Sequence, residues 1–274
     1  MEQYLTGYKQ FLQNISMSAH TVKQYVLDAK HFLTYWQQHE QEDFPNVQAL
    51  YREHLIQKYA VTSVNRKLAG TRKFVQFLYD RAYIPVFNDA IFEPLEQAEP
   101  TLKFLSKNQL TAINRMLQSL VDNATDEEEV FLATRHKVMF QLFITTGIKP
   151  YEAIQMQWQH IDGRQLTVLQ QGGYRQIELV SEMVDLLQQL KMVNDRIFDE
   201  QAHIWLGLGN RRGEPITEKT IERFFAMLST YVGFKVTATI CRYTFILQQE
   251  DSTNFEQFGY SRKDIMTERL KNLK

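Results

Sequence analysis

Apolar residues recur at three- and four-residue steps between Ser18 and Trp36. Val22, Tyr25, Val26, Ala29, Phe32, Leu33 and Trp36 would line one face of a helix, and Ser18 and Thr21 stand ahead of them as start caps. A shorter helix fits Val47 to Lys58. A third opens at Thr62 or Ser63 and runs to Tyr83, with Val64, Leu68, Val75 and Leu78 inward. After Ile84-Pro85 the pattern breaks. Asn88 to Leu102 holds Pro94, Pro100, several acids and no sustained period, which marks a domain boundary.

A new helical series starts at Leu105-Ser106. The strongly apolar run ATRHKVMFQLFITT, Ala133 to Thr146, stops at Gly147. Gln165 to Leu169 and Gln176 to Val180 flank Gly172-Gly173 and read as a β-hairpin. Helices resume near Ser181 and from Thr217 to Val232, with Arg211-Arg212-Gly213-Glu214-Pro215 as a loop between them. The expectation is a mainly α chain with a small β-hairpin or sheet, divided into residues 1–98 and 103–274. There is no internal repeat and no low-complexity tract.

Composition narrows the function. Of 274 residues, 44% are hydrophobic and 23% charged, as in ordinary globular chains. No apolar run approaches the ~20 residues of a membrane span, and the start, MEQYLTGYKQFLQ, lacks the pattern of a secretory signal. The single Cys241 excludes an internal disulfide framework and fits a cytoplasmic setting. The seven histidines form no i,i+4 pair and have no clustered cysteine, so neither a metal nor another cofactor is expected.

The 31 basic and 32 acidic residues give a net charge of −1, which rules out a general DNA coat. A nucleic-acid partner would need positive charge gathered on one face. Arg66, Lys67, Arg72, Lys73 and Arg81 lie on one expected helix, where Asp80 is the only acid between Ser63 and Arg81. Such a stripe can neutralise phosphates; its plainer reading is a solvated outer face.

The order of segments carries more. "SAHTVKQYVLDAKHFLTYW" followed by "SVNRKLAGTRKFVQFLYDRAYIP" resembles the N-terminal core-binding domain of tyrosine recombinases of the Xer type (XerD-like). "MFQLFITTGIKPYEAIQMQWQHID" resembles the opening of that family's catalytic domain, and "LTVLQQGGYRQIELV" its lysine-bearing hairpin. "VTATICRYTFIL" resembles the His-x-x-Arg helix and "FGYSRKDIMTERL" the Gly-His segment that leads to the tyrosine. The resemblance spans nearly the whole chain in the family's order. It implies a helical, SAM-like core-binding domain followed by a mixed α+β domain of the recombinase catalytic type, gripping double-stranded DNA. The DNA-facing positions it suggests are Thr21, Lys23, Arg66, Lys67, Arg72, Lys73 and Arg175.

In that family a tyrosine attacks the scissile phosphate, two arginines hold its oxygens, a lysine protonates the leaving oxygen and histidines assist. A planar guanidinium suits phosphate because it donates two parallel bonds. Carried over position by position, the resemblance finds most of this machinery replaced. Lys149 stands at the first arginine and keeps the charge without the fork. The hairpin lysine becomes Gln170 (Gln171 if the register slips), which cannot act as an acid. The first histidine becomes Thr239, the second arginine is retained as Arg242, and the second histidine becomes Tyr260. The nucleophile position near the end of "MTERL" holds Leu270, or Arg269 if the gap shifts. No tyrosine follows Tyr260, and leucine has no atom able to attack phosphorus. Glu152 is expected to order the pocket, and Cys241 to fill an apolar slot.

Three functions compete. One is a non-catalytic member that clamps duplex DNA as an accessory or regulatory factor in recombination or integration, beside an active recombinase or further copies of itself. Another is an active recombinase using Tyr260, with Lys149 and Arg242 holding phosphate. The third is a helical protein-interaction module without DNA binding, for which the near-neutral charge speaks.

Overall fold

The computed structural model describes residues 2–96, 103–170, 173–249, 255–260 and 262–271, the side chain of Arg269 excepted. The alternatives Gln171 and, for its side chain, Arg269 therefore lie outside the described residues. The chain divides into two compact units, Met1–Glu99 and Pro100–Lys274.

The first unit is helical: α1 (Glu2–Asn14), α2 (Ala19–Gln37), α3 (Phe44–Lys58) and α4 (Val61–Asp80). Helix α2 starts where its cap dictates, because the Ser18 side chain accepts from the Thr21 N–H at 3.1 Å. Asp43 does the same for α3, accepting from Asn46 N at 2.8 Å. The apolar stripe read along α2 turns inward: Val22, Ala29, Phe32 and Leu33 are buried, while Tyr25, Val26 and Trp36 are half-buried at its margin. Phe32 meets Tyr51 edge-on at 5.0 Å and Tyr8 meets Phe74 at the same distance, so rings from all four helices share one core. Burying each such ring stabilises the unit by roughly 1.5–3 kcal/mol. Helix α1 had no separate expectation, yet its Tyr8 and Leu12 are wholly buried. Helix α4 ends at Asp80, short of the expected Tyr83, because Ala82 adopts φ +55, which no α-helix continues.

One contact in this core decides what the basic stripe does. Asp28 on α2 is 1% exposed and takes a bidentate pair from Arg66 on α4 at 2.6 and 3.1 Å, with Lys67 at 3.7 Å. The helices approach so closely there that a Cβ on Gly70 would lie 2.7 Å from Asp28 Oδ2. Glycine is what the crossing requires.

The second unit is built round α6 (Glu127–Thr146), apolar on nearly every side and buried accordingly. Asp126 caps its start, three glutamates fill its first turn where the helix dipole favours anions, and Gly147 closes it at φ +59. Around it stand α5 (Lys107–Asp122), whose Ser106 and Gln109 form a capping box, α8 (Ser181–Ile197), α9 (Glu218–Val232) and α10 (Ala238–Gln248). Between α6 and α8 come a one-turn helix α7 (Pro150–Ala153) and an antiparallel sheet in the order β1 (Ile161–Asp162), β2 (Gln165–Gln170), β3 (Gly173–Glu178). The second hairpin strand thus begins three residues before the expected Gln176, because Tyr174 and Arg175 pair with Leu169 and Val168. A short α11 (Lys263–Leu270) packs Met266 and half-buried Leu270 against Tyr243, Ile246 and Phe258. The expected fold class, mainly α with a small sheet, is what the chain adopts. Among the described residues no helix is long and apolar enough to cross a membrane.

Candidate functional site

The second unit brings Lys149, Arg175 and Arg242 together from three elements. Lys149 is the N-cap of α7, and its backbone N–H donates to Glu152 Oε2 at 2.8 Å. Glu152 is 1% exposed. It also accepts from Arg175 Nη2 at 2.8 Å, and the Lys149 ammonium lies 3.8 Å from its other oxygen. Arg175 reaches this point because the hairpin register pairs it with buried Val168, which turns both side chains to the inner face of the sheet. Arg242, one turn into α10 and 8% exposed, donates to the Gly147 carbonyl at 2.6 Å. Its guanidinium carbon stands 4.7 Å from the centroid of the Tyr260 ring, a cation–π arrangement.

The segment 255–260 lies over these cations. Arg175 donates to Gln257 O at 2.8 Å, Arg242 to Phe258 O, and Lys149 Nζ to Gly259 O at 2.6 Å. Beside them a polar cavity of about 700 Å³ is lined by Gln165, Gln170, Tyr174, Arg175, Gln257 and Tyr260, among others. Lys149 and Arg175 share the buried Glu152 carboxylate, while Arg242 bonds backbone carbonyls, so positive charge is concentrated here. Such a site attracts anions. Both arginines present planar forks and Lys149 a point charge.

The remaining expected positions of this unit fall around that cluster unequally. Gln170 ends β2, and its Oε1 would be 3.2 Å from a Cβ on Gly259, so it borders the site. Thr239 is exposed and lines a separate groove with Pro150 and Phe225. Leu270 faces the apolar cluster of Tyr243, Ile246, Phe258 and Met266. Cys241 is buried and free, and burial pushes its thiol well above the ordinary range, away from thiolate chemistry. Two features escaped the sequence reading: Arg175 as a member of this cluster, and the three carbonyls that meet the cations. A hairpin register of Val168 with Arg175 would have signalled the first. Backbone oxygens carry no residue signature.

In the first unit the expected phosphate-facing residues are differently engaged. Arg66 and Lys67 both turn to Asp28, and Lys67 also lies 4.8 Å from the Tyr59 ring centroid. Arg72 pairs with exposed Asp89, and Lys73 sits 5.8 Å from the Phe11 ring centroid. The Thr21 hydroxyl is 2.8 Å from Ser18 Oγ. Exposed Lys23 borders a groove between α1 and α2 with Lys9. The stripe is therefore divided between an internal pair, a surface pair and side chains open to solvent.

Comparison with known proteins matches residues 5–82 to the phage integrase N-terminal SAM-like domain. The tyrosine recombinase XerC of Halalkalibacterium halodurans is 23% identical over 238 residues, covering 79% of this chain and 74% of its own. That of Thermodesulfovibrio yellowstonii is 22% identical over 259 residues, covering 88% and 81%. A crystal structure of a lambda integrase dimer bound to a COC′ core site shares the fold with a TM-score of 0.73 at 14% identity, covering 98% of this chain and 94% of that one.

Proposed function

We propose that the chain, whose residues 5–82 match the phage integrase SAM-like domain and which is similar to tyrosine recombinases over most of its length, is a non-cleaving, Xer-type (XerD-like) member of the tyrosine recombinase/integrase family. In this reading it binds double-stranded DNA in the cytoplasm as an accessory or regulatory factor in recombination or integration. One observation carries the reading: the position that aligns with the family's nucleophile holds Leu270, whose side chain packs in an apolar cluster. Hydrocarbon offers no lone pair to phosphorus. The Gln170 amide is too weak an acid to protonate a leaving oxygen, and Lys149 attracts phosphate without the fork that orients it. What remains is phosphate attraction at Lys149, Arg175 and Arg242, joined to a core-binding unit. Its partners are duplex DNA and either an active recombinase or further copies of the chain.

A duplex carrying a nick beside the cleavage position tests this, because strand release would trap any phosphotyrosyl bond. The full chain should retard the duplex in a native gel, less so as salt rises, and leave no covalent adduct in a denaturing gel. An adduct would overturn the reading.

A second reading has its own observation: Tyr260 is held against Arg242 at 4.7 Å, beside the cations. If Tyr260 is a nucleophile, its phenol gives up its proton and its oxygen bonds phosphorus as the P–O bond to the leaving strand oxygen breaks, that oxygen taking a proton from water, while Lys149 and Arg242 hold the non-bridging oxygens. The nicked duplex then gives an adduct that Tyr260→Phe abolishes.

The interaction-module reading predicts that surface cations are irrelevant to DNA. Arg66 and Lys67 are unsuited to this test because removing them leaves Asp28 unpaired. Replacing Lys23, Arg72 and Lys73 together by alanine should weaken duplex binding at least tenfold at low salt and flatten its salt dependence by up to about three phosphate contacts. Unchanged affinity and slope, measured by fluorescence anisotropy, would favour the module.

A further inference from the structure

Three consecutive carbonyls, those of Gln257, Phe258 and Gly259, accept from three cations that come from three different elements. We propose that residues 255–260 form an internal plug, in which these carbonyls stand where phosphate oxygens would, and that the site takes a phosphate group only when they withdraw. The inference rests on the reading of Lys149 and Arg242 as phosphate-holding positions.

The arrangement differs from ordinary packing in four respects. The oxygens converge on separate cations instead of sharing one, as the oxygens of a single anion do. They also leave the site incompletely satisfied: Arg175 is 8% exposed, yet its Nε has no hydrogen-bond partner among the described residues. A phosphate offers more acceptor sites than a neutral carbonyl, and charged ones, so it is the better partner for that donor. The close approach depends on Gly259, which adopts φ +65; a Cβ there would lie 2.9 Å from Arg175 Nε. Finally, the segment has its own anchor, Phe258, 1% exposed among Tyr243, Ile246 and Met266. An apolar anchor within the same chain lets weak, neutral acceptors hold the cations because their effective concentration is high.

The plug is closed by two turn bonds, Gly259 N–H to Glu256 O at 2.8 Å and Tyr260 N–H to Phe255 O at 2.9 Å. Their hydrogen exchange reports its state. In the full chain, inorganic phosphate should accelerate exchange of these two amides, whereas chloride at equal ionic strength should not. Gly259→Val, which obstructs the approach to Arg175, should release them without phosphate and raise the affinity for inorganic phosphate at least tenfold by calorimetry. If Gly259→Val fails to fold, the phosphate titration of the unaltered chain decides alone: unaccelerated exchange overturns the plug. Phosphate bound with the amides still protected, released amides with no gain in affinity, or no phosphate binding by either protein would likewise overturn it. Duplex binding is measured separately on the same two proteins. Its absence from both sinks the DNA-binding reading, whereas its presence without any phosphate response sinks only the plug.

Discussion

Replacing Glu152 by alanine should destabilise the second unit by about 3–5 kcal/mol, the cost of stranding a buried charge. Glu152 is 0% exposed at its side chain and Arg175 6%, so water cannot take over the lost pairing. The same change removes the acceptor of the Lys149 backbone N–H, the bond that caps the start of α7. Glu152→Gln keeps the volume and one acceptor oxygen, and should cost roughly half as much. Urea unfolding followed by hydrogen exchange separates the two units, which one spectroscopic signal would blend. With m near 2 kcal/mol/M, the expected loss moves the midpoint of the second unit down by about 1.5–2.5 M. A shift below about 0.5 M would mean that the pair does not hold β3 to α7, and that the cation cluster is assembled by something else. Lys149 and Arg175 would then lose their common anchor.

Gly70→Val should cost the first unit about 3 kcal/mol. The new Cβ would start 2.7 Å from Asp28 Oδ2 and 3.1 Å from Asp28 Cβ. Asp28 cannot yield easily, because Arg66 grips both of its oxygens and the helices pack on either side. Overpacking of this kind costs about 1–3 kcal/mol, and the added β-branch brings no helix propensity to offset it. Gly70→Ala regains up to about 1 kcal/mol of propensity and should be milder. Thermal unfolding of the first unit measures both. Equal melting of Gly70→Val and the parent would show that α2 and α4 can separate without penalty, leaving Arg66 and Lys67 free to face phosphate.

That last contact shows where reading the chain alone reaches its end. The stripe Arg66, Lys67, Arg72, Lys73 is visible at helical spacing, but its partner Asp28 lies 38 residues before Arg66, on another helix. No periodicity announces such a neighbour. By contrast most of the inward face of α2 was legible, all but Asp28 and Tyr35 of its buried residues, because 3.6-residue spacing and burial are two expressions of one geometry. Ser18, Ser106 and Gly147 mark helix ends in both descriptions, since caps act within one turn of chain. Arg175 falls between these cases. Alternation along β3 puts it on one face or the other, and only the pairing with Val168 says which.

The amino-acid order by itself determined helices α2 to α6, α8 and α9 and the hairpin, for these depend on local spacing. Tertiary structure alone decided what partners the charges find: Asp28 for the first unit's arginine and lysine, Glu152 and three neutral backbone carbonyls for the second unit's cations. The reason is that electrostatic partners are set by distance in space. A carbonyl oxygen, common to every residue, becomes a specific acceptor only where the fold carries it.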